Sequence, residues 1–290
     1  MHSSDPSPAL QASGVPASHG GTPRRPARLP IPASRWEDLC ALWDGLADFP
    51  AGEMDAALAH LMKSMCGWLR AENAFWIGGV RMASGAAGRR DAMRGWRARV
   101  VRYLHVTPQN TQLTQRGIRE QDVDPGYTTR AVVSRAGKFR VHRLRDGFVD
   151  FAALRRTAHY RAFYADPGIV DRMWVVLPVN GDTESYMMFD HIGSRRRFSA
   201  ADAALAGVAL RGIKWFHRQL LLSHGLLVAQ APLSAAQRRV LLQLLTGKPE
   251  KSIAAGLRLT PGTVHQYAVE LYRKYGVKGR TGLMALWLGG

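Results

Sequence analysis

The sequence predicts two folded domains, an α+β domain followed by an all-α domain of four short helices. Three observations lead there. In the middle of the chain, two strand-like runs flank the turn signal Asn180-Gly181-Asp182, with helical patterns before and after them. From Leu233 onward every apolar pattern has helical spacing, and glycines and prolines divide it into four pieces. A short connector at 225–232 lies between the two regions.

Taken in order, residues 1–34 read as a disordered tail. They hold seven of the fifteen prolines and six serines, and such a composition cannot bury enough apolar surface to offset the entropy of ordering. The α+β domain is expected over 35–227. Trp36, Leu39, Cys40, Trp43 and Leu46 recur as one helical face, and Met54, Leu58, Leu61, Met62, Met65 and Leu69 as a second. Residues 73–80 are aromatic and branched and read as a strand. Residues 85–90 read as a loop, 96–106 as a strand or helix, and 138–144 as a strand. A helix over 151–164 is stopped by Asp166-Pro167-Gly168, and the hairpin pairs 172–179 with 185–192. Ser199, with Asp202 three residues on, marks an N-cap. One long exit helix is expected over 199–223, packing through Leu205, Val208, Ile213, Phe216 and Leu220.

The all-α domain is expected over 228–290. Ser234 caps a helix that buries Val240, Leu241, Leu244 and Leu245 and ends at Gly247. Pro249 opens a second helix, with Ile253, Ala254 and Leu257 inside. After the turn Arg258-Leu259-Thr260, Thr260 caps a third helix with Pro261 at its first position. Val264, Ala268, Leu271 and Tyr275 are its buried stripe, and Gly276 stops it. A last helix over 281–288 packs Leu283, Leu286 and Trp287. Two short helices joined by a three-residue turn define a helix-turn-helix. The face opposite the stripe carries His265, Gln266, Val269 and Arg273. Gln pairs with adenine N6/N7, His bonds a base edge, and Val meets a thymine methyl. Lys251, Arg273, Lys274, Lys278 and Arg280 form a cationic frame for phosphates.

Charge agrees. The chain carries +18, and nine Lys/Arg against two Glu give residues 233–290 a net of +7, the highest density in the chain. Such an excess favours polyanions. Other function classes find no support. Cys40 and Cys66 make neither a disulfide framework nor a zinc pattern, and His142, His159 and His191 lack ligand spacing, so no metal is expected. A nucleophile elbow, a phosphate loop and paired carboxylates are missing, so neither an enzyme nor a cofactor is expected. With no signal-peptide pattern and no apolar run of ~18 residues, the expectation is a cytoplasmic chain without a membrane partner.

The C-terminal motifs resemble the LuxR/FixJ (GerE-type) family. They are Leu233-Ser234, Val240-Leu241, Gly247, Lys251-Ser252-Ile253-Ala254, Thr260-Pro261-Gly262-Thr263-Val264, Tyr272-Arg273-Lys274-Tyr275-Gly276-Val277 and Arg280. Gln237, Pro249, Tyr267 and Tyr275 depart mildly from the family pattern. The resemblance implies a four-helix DNA-binding domain that reads double-stranded DNA through the helix over 261–275. It implies Lys251, Thr260, Thr263 and Lys274 at phosphates, and His265, Gln266 and Val269 at bases. It further implies a homodimer on a roughly two-fold operator, with RNA polymerase as a further partner.

The order of elements over 35–227 is that of an α+β sensor of the GAF or PAS kind, and 159–190 looks like the sensor half of some LuxR-type regulators. The Trp/Tyr/Asp pocket signature of acyl-homoserine-lactone sensors is not evident in the sequence. Trp76, Trp96, Tyr103, Trp174 and Tyr186 are the candidate ligand-pocket residues, with His105 and Phe189 beside them. The signal is expected to be a small molecule or a protein. The alternative is a docking module that takes a protein and no ligand.

Overall fold

The computed structural model describes residues 31, 32, 34–228 and 232–288. Most of the tail expected at 1–34, part of the connector, and Gly289-Gly290 lie outside them. Ser34 opens the first helix, α1 (Ser34–Ala47). A 3₁₀ turn (Ala51–Glu53) leads into α2 (Met54–Leu69), which buries the stripe Leu58, Leu61, Met62, Met65 and Leu69.

Then come β1 (Asn73–Arg81), α3 (Gly85–Arg90) and β2 (Trp96–Tyr103). The loop expected at 85–90 is therefore a short helix. It holds Ala86-Ala87 and ends in two arginines, residue types that favour helix and offset the glycines at 85 and 88. α4 (Pro108–Glu120) is set by a capping box between Thr107 and Asn110, with proline at its first position. α5 (Tyr127–Val133) and β3 (Arg140–Arg143) follow.

The helix expected at 151–164 is broken into α6 (Phe151–Leu154), α7 (Ala158–Tyr160) and a π turn (Arg161–Ala165). Asp150 accepts from the amides of Ala152 and Ala153, and Thr157 accepts from that of Tyr160. Two caps within eight positions offer the backbone local partners that compete with a continuous helix.

β4 (Ile169–Pro178) and β5 (Thr183–Ile192) form the expected hairpin. All pairings are antiparallel, and the sheet order is β2-β1-β5-β4-β3. A bulge falls at Gly78/Gly79.

The long helix expected at 199–223 is two helices, α8 (Ala200–Arg211) and α9 (Lys214–Ser223). The capping box of Ser199 and Asp202 forms as expected. The break has a definite cause. Trp43 Nε1 donates to the Ala209 carbonyl at 2.9 Å, and the His217 ring takes the Leu210 carbonyl at 3.2 Å. Those are the acceptors that the amides at 213 and 214 would use in a continuous helix. A Cβ at Gly212 would stand 2.4 Å from the Trp43 ring, so the indole fits only because residue 212 is glycine.

Helices α1, α2, α8 and α9 cover one sheet face, burying Trp76, Met173, Met187 and Phe189 with Leu61, Leu210 and Phe216. The other face takes Phe75, Trp174 and Met188 against Val132, Leu154 and Tyr164. The C-terminal domain is α10 (Ala235–Leu244), α11 (Glu250–Leu257), α12 (Pro261–Tyr275) and α13 (Arg280–Leu288) around its own core. It rests on the first domain. Arg218 Nη1 donates to the Leu286 carbonyl at 2.7 Å, and Arg238 pairs with Asp55. Among the described residues no helix is long and apolar enough to cross a membrane.

Candidate functional site

The C-terminal domain aims one face outward. Ser234 and Gln237 form a capping box at α10. Arg258 ends α11 in the left-handed region at φ 56°, which turns the chain toward α12. Thr260 Oγ1 accepts from the Thr263 amide at 3.1 Å, and the two hydroxyls lie 2.8 Å apart. Gly276, at φ 66°, ends α12. Val264, Ala268, Leu271 and Tyr275 are buried, so helical periodicity puts His265, Gln266, Val269 and Arg273 on the outer face. All four are exposed, Val269 at 40%. An apolar side chain has no packing reason to stand there.

Two of these side chains have partners within the domain. His265 Nδ1 lies 3.1 Å from Glu250, and Gln266 Nε2 donates to Glu270 at 3.3 Å. Lys251 is exposed at the first turn of α11, Thr260 is exposed, and Thr263 and Lys274 are half-buried. Arg280 differs from the expected cationic frame. Its Nε donates to the Leu244 carbonyl at 2.7 Å and its Nη1 to that of Lys248. It closes the end of α10 and ties α13 to it.

The second site is a cavity of about 190 Å³ in the first domain. Sheet residues Phe75, Val101 and Met188 form its floor, and α4, α5 and the π turn its roof. Four of the five expected pocket residues line it: Trp96, Tyr103, Trp174 and Tyr186. Trp76 does not. Side chains alternate along a strand, so Phe75 and Ile77 face the cavity while Trp76 enters the helical core. There its Nε1 donates to Ser185 Oγ at 2.7 Å and its ring stacks on His224. Phe189 is on that same opposite face, in the helical core.

Sequence reading missed the polar wall. Thr128 Oγ1 lies 3.0 Å from His159 Nε2 and 2.9 Å from the Tyr164 hydroxyl. Burial pushes the His159 imidazole down to about 4, so it is neutral at pH 7. Arg172 donates through Nε and Nη2 to the two oxygens of Asp190, at 2.6 and 2.8 Å. At the hairpin end, Arg140 grips Glu184 at 2.9 and 2.8 Å, and the Tyr186 hydroxyl donates to the same carboxylate. Apart from Tyr186 with Glu184, these pairs join residues far apart in sequence. Alternation along β4 and β5 could have hinted at them, but the pairing register was needed.

Residues 231–287 match the family model described as bacterial regulatory proteins, luxR family (GerE). The C-terminal domain is therefore a LuxR-type DNA-binding helix-turn-helix domain. No curated protein matches the chain. Among solved structures the chain aligns with SdiA in complex with octanoyl-rac-glycerol, at 12% identity and a TM-score of 0.42 over 89% of this chain and 93% of that one. Escherichia coli SdiA in space group P6522 aligns at 12% and 0.41, over 88% and 96%. The VqsR ligand-binding domain from Pseudomonas aeruginosa aligns at 15% and 0.41, over 66% and 98%.

Proposed function

We propose that the chain is a sequence-specific transcription regulator. Its reader domain, over 228–290, places α12 in the major groove, and its GAF- or PAS-like sensor domain, over 35–227, binds a small molecule in the sheet cavity. The observation that carries the reading is the outer face of α12. His265, Gln266 and Val269 stand there exposed between Lys251 and Arg273, which is the chemistry of base edges framed by phosphate contacts. Thr260, Thr263 and Lys274 extend the phosphate set around the helix entry and exit. Two copies on a two-fold operator would set two such helices one turn of duplex apart.

Control follows from linkage. A ligand that binds one arrangement of the domains better than another shifts the population of DNA-competent chains. The sensor's side of this coupling is the cavity wall, and the reader's side is the set of bonds from α9 and α2 to α10 and α13.

Selection of bound genomic fragments by the full chain at stated salt tests the reading. A recurring pseudo-palindromic site is the expected result. Salt-sensitive binding with no sequence preference overturns it.

A further inference from the structure

The cavity's charges are spent before any ligand arrives. Arg172 is neutralised by both oxygens of Asp190. Arg97 spans Asp91 and Asp122, and Glu120 accepts from Arg116. His159, buried, is neutral at pH 7. An anion placed there would have no uncompensated cation to meet, and an ammonium no free carboxylate. Either would lose its water for no return, and a desolvated, unpaired charge is strongly disfavoured.

What the wall has left over is neutral and points to acceptors. Gln121 is 6% exposed, and its Oε1 accepts from the Ala98 amide at 2.9 Å. Gln121 lines the same cavity, and this bond is the one its side chain makes among the described residues, which leaves the amide nitrogen for a guest. The Tyr103 and Thr114 hydroxyls meet only at 3.4 Å, a long contact that a closer partner would replace. Around these donors the walls are flat rings. Phe75 and Tyr103 stack at 4.8 Å, and Trp96, Phe163 and Trp174 complete the enclosure. Rings of this kind favour a planar guest by offset or edge contact. A cavity of about 150 Å³ holds benzene, and this one, at about 190 Å³, is larger.

We infer that the cavity takes a neutral, planar aromatic molecule carrying a carbonyl oxygen, which accepts a hydrogen bond from the Gln121 amide. This rests on the reading of the cavity as the sensor's ligand site.

Four probes on one two-ring frame test it with the full-length chain: 2-acetylnaphthalene, 2-ethylnaphthalene, 2-naphthoate and 2-naphthylmethylammonium. Tryptophan quenching and thermal shift read the binding. The ketone is expected to bind about fivefold more tightly than the ethyl compound, the worth of one hydrogen bond. It should exceed both charged probes by more than tenfold. Gln121→Leu should bring the ketone to the ethyl level and leave the ethyl compound unchanged. A charged probe matching the ketone, a ketone no better than the ethyl compound, or no binding by any of the four overturns the inference.

A cavity-filling Val101→Phe variant, or Thr129→Phe should the first not fold, separates this failure from that of the ligand site itself. If a charged probe binds and filling abolishes it, the site stands and only the ligand class falls. If filling changes no binding, both fall. If none of the four binds but a metabolite library stabilises the chain and filling cancels that gain, again only the class falls.

Discussion

Arg238, in the first helix of the C-terminal domain, gives its two terminal nitrogens to the two carboxylate oxygens of Asp55, at the start of α2. The Arg238 side chain is 10% exposed, while that of Asp55 is 55% exposed. Ser223, at the end of α9, also lies within reach of Arg238. The ion pair thus joins three elements at the seam between the domains. Tyr275, the last residue of α12, adds a bond from its hydroxyl to the Leu222 carbonyl.

Removing Asp55 leaves a nearly buried guanidinium without its counter-charge. The pair is half open to water, which puts the cost of Asp55→Ala between that of a surface and a buried pair, about 1–2 kcal/mol. Denaturant unfolding reads it. In a double-mutant cycle with Arg238→Met, the two losses should be less than additive. Strict additivity would show that the pair carries no coupling.

Gln266→Ala and Lys274→Ala should separate the two kinds of DNA contact. The glutamine change is expected to relax preference at one base pair, costing about 1–3 kcal/mol on the preferred site alone. The lysine change should weaken all sites alike and lower the salt slope by about 1. Binding isotherms on matched and mismatched duplexes at several salt concentrations check both.

Gly212→Ala should destabilise the N-terminal α+β region by about 1–3 kcal/mol, as overpacking does. The added carbon meets the Trp43 ring at 2.4 Å, so the indole must move and release the Ala209 carbonyl. A change in melting temperature with unaltered DNA recognition is the expected signature. An unchanged melting temperature would mean that Trp43 does not hold this break.

Acid should destabilise the N-terminal α+β region in a defined window. Burial lowers His217 from its ordinary 6.5 to about 4, and its ring lies between Ser185 and the Leu210 carbonyl. The unfolded chain takes up this proton first, so stability is full above pH 6.5 and falls as the pH drops from 6.5 toward 4. His159, also lowered to about 4, adds to the loss in the same window. His217→Gln should flatten the decline in melting temperature. A decline of equal steepness would locate the proton uptake elsewhere.

The reader was legible because its signals are local. Ser234, Thr260 and Gly276 cap or stop helices through bonds made within a few residues, and the stripe at Val264, Ala268, Leu271 and Tyr275 needs only the helical period. The N-terminal α+β region was legible in part. The hairpin about Asn180-Gly181-Asp182 announced itself, and four of five pocket aromatics reached the cavity. The exit helix did not hold as one piece, because Trp43, from the other end of the domain, takes a carbonyl that its ladder required.

By itself, the sequence determined the helix-turn-helix and its outward face, since capping and periodicity act over one or two turns of chain. Only the tertiary structure decided which way Trp76 faces, that Arg172 is spent on Asp190, and that Arg238 meets Asp55. Each depends on strand register or on docking between distant segments. A one-residue slip of register would send Trp76 to the other face of the sheet, and nothing local to the chain fixes that choice.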